Sequence, residues 1–195
     1  MDATVVLASR SPRRLDLLSR IGVVPLVDPP DIDESPRGGE AAVAYVERLA
    51  REKARVVSAR HRAASRIVAA DTTVEIDDEI LGQPVDRDDA ARMLRRLSAR
   101  SHKVHTGVCV IVDQVPRSVV VSSMVRFVPV TDELLGWYLD TGEWQGKAGA
   151  YAIQGLGAAL VEGVQGSYSN VVGLPLRQTA DLLGVVPGPG VGTDD

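Results

Sequence analysis

The 195-residue chain contains a single cysteine, Cys109, so a disulfide framework within the chain is excluded. This cysteine lies in the apolar stretch TGVCVIV, and the pattern predicts a buried core residue. Chains without disulfides are typical of reducing compartments, so the cysteine count favours the cytoplasm.

Long apolar runs and an excess of basic residues are also missing. No apolar run approaches the ~20 residues that cross a bilayer, and the N-terminus reads directly into a strand without the features of an export signal. The net charge of −4 argues against a general binder of nucleic acid or membrane surfaces, which is normally basic. We therefore expect a cytoplasmic protein with no nucleic-acid or membrane partner.

Several common catalytic motifs are absent as well. The sequence has no P-loop, no GxGxxG after a strand, no GxSxG elbow, no HExxH and no CxxC. Two of the histidines, His102 and His105, have an odd spacing along a predicted strand and so point to opposite faces. They are poor candidates for a shared metal site, which leaves carboxylates, hydroxyls and scattered bases to carry chemistry.

The chain does contain an early alternation of strand and helix patterns, followed by longer β segments. Predicted helices begin at Pro12, Ala41, Asp86 or Asp88, after the N-cap Thr131, and at Pro175; predicted strands cover 23–27, 66–76, 102–112 and 119–128. The stretch 28–40 predicts a loop, and 146–173 is glycine-rich with β character. We expect an α/β fold around a mixed sheet, one domain over residues 1–186, and a disordered tail over 187–195.

The segment LASRSPRR, Leu7 to Arg14, ends a hydrophobic strand with hydroxyls and arginines. Ser11 is a good N-cap and Pro12 a good first helical residue, because the missing proline N–H would be unpaired there. A helix N-terminus offers N–H groups and a partial positive charge, which suit a polyanion such as a phosphate chain. Taken alone, these residues more often form an ordinary capped helix with solvated arginines.

Four charged residues are the remaining candidates for chemistry. Asp71 ends the apolar run IVAA, where a carboxylate needs a partner or a cation; a turn aspartate bonded to backbone N–H groups is the alternative. Asp33 and Glu34 lie in the acidic loop and Lys53 lies on the long helix, positions that solvated charges also occupy. With the arginines of the first helix, these groups are suited to bind Mg²⁺ and a triphosphate.

Three long blocks extend this interpretation. They read LASRSPRRLDLL, AADTTVEIDDEILGQPVDRDDAARMLRRLSARSHKVHTGV and AGAYAIQGLGAALVEGVQGSYSNVVGLPL, with ERLAREKA between the first two. In this order they resemble the Maf family of nucleoside triphosphate pyrophosphatases over nearly the whole chain except the tail. The resemblance implies an α/β fold shared with inosine-triphosphate pyrophosphatases, in which two lobes flank a cleft. It also implies hydrolysis between the α and β phosphates, which releases a nucleoside monophosphate and pyrophosphate.

The resemblance assigns roles to individual residues. The family's catalytic aspartate falls on Asp71, which would act as general base on a water and also touch a divalent metal, Mg²⁺ or Mn²⁺. Glu34 would help to hold that metal. The family's phosphate-binding residues fall on Ser9, Arg13, Arg14 and Lys53.

Base preference follows from three pocket positions of the family. The branch that acts on dTTP and UTP carries an arginine, a threonine and a glutamine there, which are Arg13, Thr72 and Gln154 in this chain. All three match that branch rather than the one resembling 7-methyl-GTP pyrophosphatases. Two alternatives stay open: a nucleotide-binding regulator of cell division without significant turnover, and a pyrophosphatase of the 7-methyl-GTP type.

The chain departs from the family pattern at two places. Many members have Gly-Lys-Pro where this chain has Gly82-Gln83-Pro84, and Gln83 cannot supply positive charge to a phosphate. The common Ser-Gly-Arg is Ser98-Ala99-Arg100, a change that affects a turn. Neither departure removes the aspartate or the three specificity residues. A homodimer is the candidate assembly.

Overall fold

A computed structural model describes residues 4–61 and 66–185, and the predicted tail over 187–195 lies outside the described residues. The strands are β1 (Val5–Leu7), β2 (Leu26–Val27), β3 (Arg66–Ile76), β4 (Glu79–Leu81), β5 (Ser101–Val112), β6 (Val115–Phe127) and β7 (Val161–Gln165). The helices are α1 (Pro12–Arg20), α2 (Ala42–Arg60), α3 (Arg87–Leu97), α4 (Asp132–Asp140), α5 (Tyr168–Val172) and α6 (Leu176–Leu183), with 3₁₀ turns at Ala148–Ala150 and Leu156–Leu160.

The strands form one seven-stranded mixed sheet in the order β2-β1-β3-β5-β6-β7, with β4 paired to β3. β1 runs parallel to both β2 and β3, whereas the β3, β5, β6 and β7 ladders are antiparallel. The parallel pairs come from the early alternation of strands and helices, and the antiparallel pairs from the long middle segments. The prediction of an α/β fold around a mixed sheet is confirmed.

An opening forms beside β3 because β1 is much shorter. β1 ends with Leu7 opposite Val68, and the Ala8 N–H donates to the Val68 carbonyl at 2.8 Å. The chain then turns away into α1, while β3 continues to Ile76. The carboxyl end of a parallel strand that leaves the sheet in this way is a common place for a ligand.

Successive residues of β3 face different layers. Ala69 packs in a cluster with Ala50 and Ala54 of α2, whereas Ala70 belongs to the larger cluster that holds Leu18 of α1. This alternation follows from the two-residue period of a strand, and it extends along the rest of β3. Odd-numbered positions therefore point to α2 and even-numbered positions to the α1 side.

The close approach of α2 depends on Gly107 of β5, which pairs with Asp71 of β3. A Cβ at Gly107 would overlap the Val46 carbonyl of α2. The missing side chain therefore lets the helix backbone lie directly on the sheet next to Asp71.

Several predicted elements are shifted. The strand predicted at 23–27 is only Leu26–Val27, and β6 begins at Val115 because Asp113 and Gln114 alone make the turn, with φ of 50° and 66°. The β character predicted for 146–173 is wrong over most of that stretch, which holds β7, α5 and the two 3₁₀ turns. Its apolar residues pack into the core from turns, so their burial does not require strands.

The predicted helix starts lie within one residue of the observed ones. Asp86, rather than Asp88, caps α3 by accepting from the Asp89 N–H at 2.8 Å. Thr131 caps α4 as predicted, whereas Ser11 precedes α1 without a side-chain cap bond. Cys109 is buried, with 1% of its surface exposed. Within the described ranges, no helix combines the length and apolar character needed to cross a membrane.

Candidate active site

A cleft of about 960 Å³ opens where β1 ends, between the acidic loop and the segment that follows α4. It is lined by every residue to which the family resemblance assigns a role, namely Ser9, Arg13, Arg14, Glu34, Lys53, Asp71, Thr72 and Gln154. The candidate Asp33 is not part of this lining and instead accepts from the Ser35 N–H at 2.9 Å. The same cleft includes Gln83, the position that departs from the family pattern. Residues that lie far apart in the sequence thus line one continuous space.

The floor of the cleft is an acid–lysine cluster. Lys53 Nζ of α2 lies 2.6 Å from Asp71 Oδ1 and 2.9 Å from Glu34 Oε1. The side chains of Lys53 and Asp71 are only 8% and 9% exposed, whereas that of Glu34 is 50% exposed. Asp71 occupies an odd position of β3, so the strand alternation directs it to α2 and to Lys53.

Burial and charge act on Asp71 in opposite directions. Burial raises the pKa of its carboxyl group, while the charges of Lys53 and Arg14 work against that rise. A raised pKa makes a carboxylate a stronger base, and the paired cations favour its ionised form. The environment of Asp71 is therefore suited to proton abstraction.

Tyr45 anchors the acidic loop over this cluster. Its hydroxyl donates to the Glu34 carbonyl at 2.9 Å, which places the Glu34 side chain above Lys53. Further along the loop, Arg48 pairs with Glu40 at 2.7 Å and donates to the Ser35 carbonyl. Two residues of α2 thus fix the loop that carries the exposed acid.

The carboxylates of Glu34 and Asp71 fit a metal that arrives with a phosphate ligand. Across residues 4–61 and 66–185, no group of three or more histidine, cysteine, aspartate or glutamate side chains is arranged to hold an ion. Mg²⁺, however, commonly uses one or two carboxylates and completes its octahedron with water and substrate phosphates. The donor set is therefore suited to that mode rather than to a cage made of protein alone.

Arg14 forms the other charged wall and is held by three hydrogen bonds. Its Nε donates to the Gly173 carbonyl at 2.8 Å, and its terminal nitrogens donate to Ser9 Oγ and Thr72 Oγ1, each at 3.1 Å. The Thr72 hydroxyl also lies 2.9 Å from Thr106 Oγ1. Burial lowers the pKa of Arg14, although Asp71 opposes that effect. The three hydrogen bonds fix the orientation of the guanidinium.

Thr72 therefore contacts Arg14 directly. As an even position of β3 it points to the α1 side, where its hydroxyl joins Arg14 to a buried pair, Thr106 and Asn170. Because Thr72 follows Asp71 in β3, it connects the candidate base to Arg14. Thr106 and Asn170 were not singled out in the sequence, because neither stands near a recognisable motif.

The outer end of the cleft carries Arg13, Lys147 and Gln154. Burial lowers the pKa of both cations, and the Glu143 charge opposes that effect in each. Gln154 is exposed to the cleft, on the loop that follows. One feature of the sequence distinguishes Lys147 from the other bases. Only three of the 22 basic residues are lysines, and Lys147 and Lys53 are two of them.

Comparison with known proteins identifies the family to which this chain is similar. The family described as Maf-like protein matches residues 4–186. A dTTP/UTP pyrophosphatase of Myxococcus xanthus (strain DK1622) is 52% identical over 179 residues, which cover 92% of this chain and 90% of that protein. A dTTP/UTP pyrophosphatase of Anaeromyxobacter sp. (strain Fw109-5) is 52% identical over 184 residues, covering 92% and 87%.

One solved structure gives a more distant likeness. A nucleoside-triphosphatase / dITP/XTP pyrophosphatase from Mycobacterium abscessus ATCC 19977 / DSM 44196 is 22% identical, with a TM-score of 0.46. The match covers 64% of this chain and 74% of that one.

Proposed function

Because this chain belongs to the Maf-like protein family, we propose that it hydrolyses dTTP and UTP to the nucleoside monophosphate and pyrophosphate. The proposal rests on one observation about the cleft. The cluster of Asp71, Lys53 and Glu34 lies in the same cleft as Arg13 and Arg14. A buried base faces a set of cations, which is what hydrolysis of a phosphate anhydride requires.

In this mechanism Asp71 takes a proton from a water molecule whose oxygen attacks the α-phosphorus. The bond between that phosphorus and the oxygen bridging to the β-phosphate breaks, and pyrophosphate leaves with the bond's electron pair. Lys53 favours the ionised form of Asp71, because the ammonium lies 2.6 Å from the carboxylate. Burial of the pair excludes bulk water and strengthens each charge interaction.

The cations of the cleft stabilise negative charge on the phosphates. Arg14 is fixed by its bonds to Ser9, Thr72 and Gly173, so little reorganisation is needed when a triphosphate binds. Arg13 stands one residue away at the N-terminal turn of α1, where the helix dipole also favours an anion.

We infer that Glu34 and Asp71 also hold a divalent cation, Mg²⁺ or Mn²⁺, together with the substrate phosphates. When bound, the metal would neutralise phosphate charge and polarise the phosphoryl oxygens. Glu34 is the better placed of the two to exchange partners, because its side chain is half exposed and its backbone carbonyl stays anchored by Tyr45.

The test is pyrophosphate release from a panel of triphosphates, with Mg²⁺ and with a chelator. We expect turnover of dTTP and UTP well above CTP, ATP, GTP and 7-methyl-GTP, and loss of turnover with the chelator. Binding without turnover of any triphosphate would favour a nucleotide-binding regulator instead. A preference for 7-methyl-GTP would place the chain in the other branch of the family.

Gln83 provides a test of where the phosphates lie. It faces the cleft beside the segment that carries Lys147, and the Gly82 carbonyl accepts from the Gly149 N–H at 3.0 Å. If phosphates reach this point, Gln83→Lys should lower the KM for dTTP about threefold at low ionic strength. The gain should fade at high salt, since salt screens partly exposed charges.

The matched control is Gln165→Lys, which makes the same charge change on the exposed edge strand β7. It should leave KM unchanged at every salt concentration. An unchanged KM for Gln83→Lys at low salt would show that position 83 lies beyond the reach of the phosphates.

A further inference from the structure

Glu143 makes two hydrogen bonds that the proposed catalytic mechanism does not use. It lies between α4 and the first 3₁₀ turn, and both carboxylate oxygens reach across to the start of the second 3₁₀ turn, Leu156–Leu160, which follows the loop of Gln154. Oε1 accepts from the Leu156 N–H at 3.0 Å and Oε2 accepts from the Gly157 N–H at 2.8 Å. Charge-assisted bonds to two successive backbone groups hold a loop more firmly than neutral bonds do.

The loop is shaped to receive this carboxylate. A Cβ at Gly155 would overlap the Glu143 carboxylate, so only glycine leaves room for the contact. On the other side of Gln154, the Tyr138 hydroxyl of α4 accepts from the Ala152 N–H at 3.3 Å. Gln154 thus stands between two attachments, both made from α4 and the residues just after it.

The attachment matters because a glutamine amide is ambiguous. Uracil and thymine present an O4 acceptor beside an N3–H donor, whereas cytosine presents the reverse pair. The amide of Gln154 matches either pattern after a rotation of 180°, so the amide alone does not select a base. A backbone held in one place restricts how that side chain enters the cleft.

We propose that Glu143 is a positioning residue for base selectivity, which acts by fixing the loop that carries Gln154; this inference rests on the proposed function. Glu143 touches the Leu156 and Gly157 N–H groups and needs no contact with the nucleotide. Its charge also acts on Arg13 and Lys147 at the outer end of the cleft.

The first test is Glu143→Gln, which keeps the side-chain length. The new amide offers one acceptor oxygen, and its NH₂ group would face a backbone N–H. We expect the ratio of kcat/KM for UTP over CTP to fall about fivefold, less than the direct loss of a charge-assisted hydrogen bond to the base would cause, because Glu143 acts through Gln154. The loss should lie mainly in the KM for UTP, with kcat at saturation within about twofold, because uniform binding and not the chemical step is affected.

A second variant reaches the same contact from the loop side. Gly155→Ala would displace the Glu143 carboxylate without changing any charge, and should lower the UTP over CTP ratio in the same direction. In a Gln154→Ala background, Glu143→Gln should change the ratio no further, because its effect passes through Gln154. The control is Glu162→Gln on β7, whose carboxylate forms an exposed ion pair with Arg126 of β6; it should leave the ratio unchanged.

The outcomes separate this inference from the proposed function. A wild-type protein that prefers UTP, with an unchanged ratio in folded Glu143→Gln or Gly155→Ala, would overturn the role of Glu143 alone. An equal loss for UTP and CTP would do the same, since it would indicate a purely structural residue. If Glu143→Gln does not fold, Gly155→Ala decides. A wild-type protein that hydrolyses no triphosphate would overturn the proposed function first.

Discussion

Replacing Asp71 with asparagine is expected to lower kcat for dTTP by about 10²–10⁴-fold, the usual loss when a general base is removed. The amide keeps the volume of the carboxylate but can neither accept a proton at neutral pH nor balance the Lys53 charge 2.6 Å away. Nucleotide binding should survive or tighten, because less negative charge then faces the triphosphate. Single-turnover kinetics with dTTP and an equilibrium binding assay would separate the two effects.

The control is Asp113→Asn, which makes the same chemical change at the exposed turn between β5 and β6. Position 113 has φ of 50°, a conformation that asparagine tolerates well, so this variant should keep full activity and stability. A thermal melt of Asp71→Asn should show a folded protein, since Lys53 keeps Glu34 as a partner. Retention of more than about a tenth of wild-type turnover would mean that another group is the base.

The sequence pattern of β3 predicts much of this site. The run RIVAADTTVEI indicates a strand, and the period of two then places neighbouring residues on opposite faces. The structure places Asp71 against Lys53 and Thr72 against Arg14, as that period requires. The pattern could not predict that β1 stops beside Val68 and leaves an opening, because pairing partners are not encoded locally.

Local sequence patterns do not predict the residues that hold the site together. Tyr45 binds a carbonyl in the acidic loop, and Glu143 binds N–H groups of residues 156 and 157. Such contacts join a side chain to distant backbone, and backbone groups look alike in every sequence. The prediction for 146–173 is wrong for a related reason: its buried apolar residues resemble a strand pattern, whereas the chain forms turns there.

Replacing Gln154 with alanine is expected to lower kcat/KM for dTTP and UTP by roughly tenfold or more, consistent with the loss of one or two hydrogen bonds to the base. The exposed amide of Gln154 is suited to donate to O4 and to accept from N3–H of either base. The thymine methyl group only needs space, so dTTP and UTP should lose activity alike. CTP should lose much less, because its reversed donor and acceptor pair matches poorly in the wild-type cleft.

The measurement is kcat/KM for the three nucleotides in parallel, with Gln165→Ala on β7 as a variant that also removes an exposed amide but outside the cleft. The decisive quantity is the ratio of kcat/KM for dTTP or UTP to that for CTP. A general loss of stability or of phosphate affinity would lower kcat/KM for all three nucleotides together and leave this ratio unchanged. An equal loss for dTTP, UTP and CTP would therefore assign Gln154 to the fold or to the phosphates. A selective loss would assign it to the base, since removing an amide from a folded cleft alters only the partner that the amide had bound.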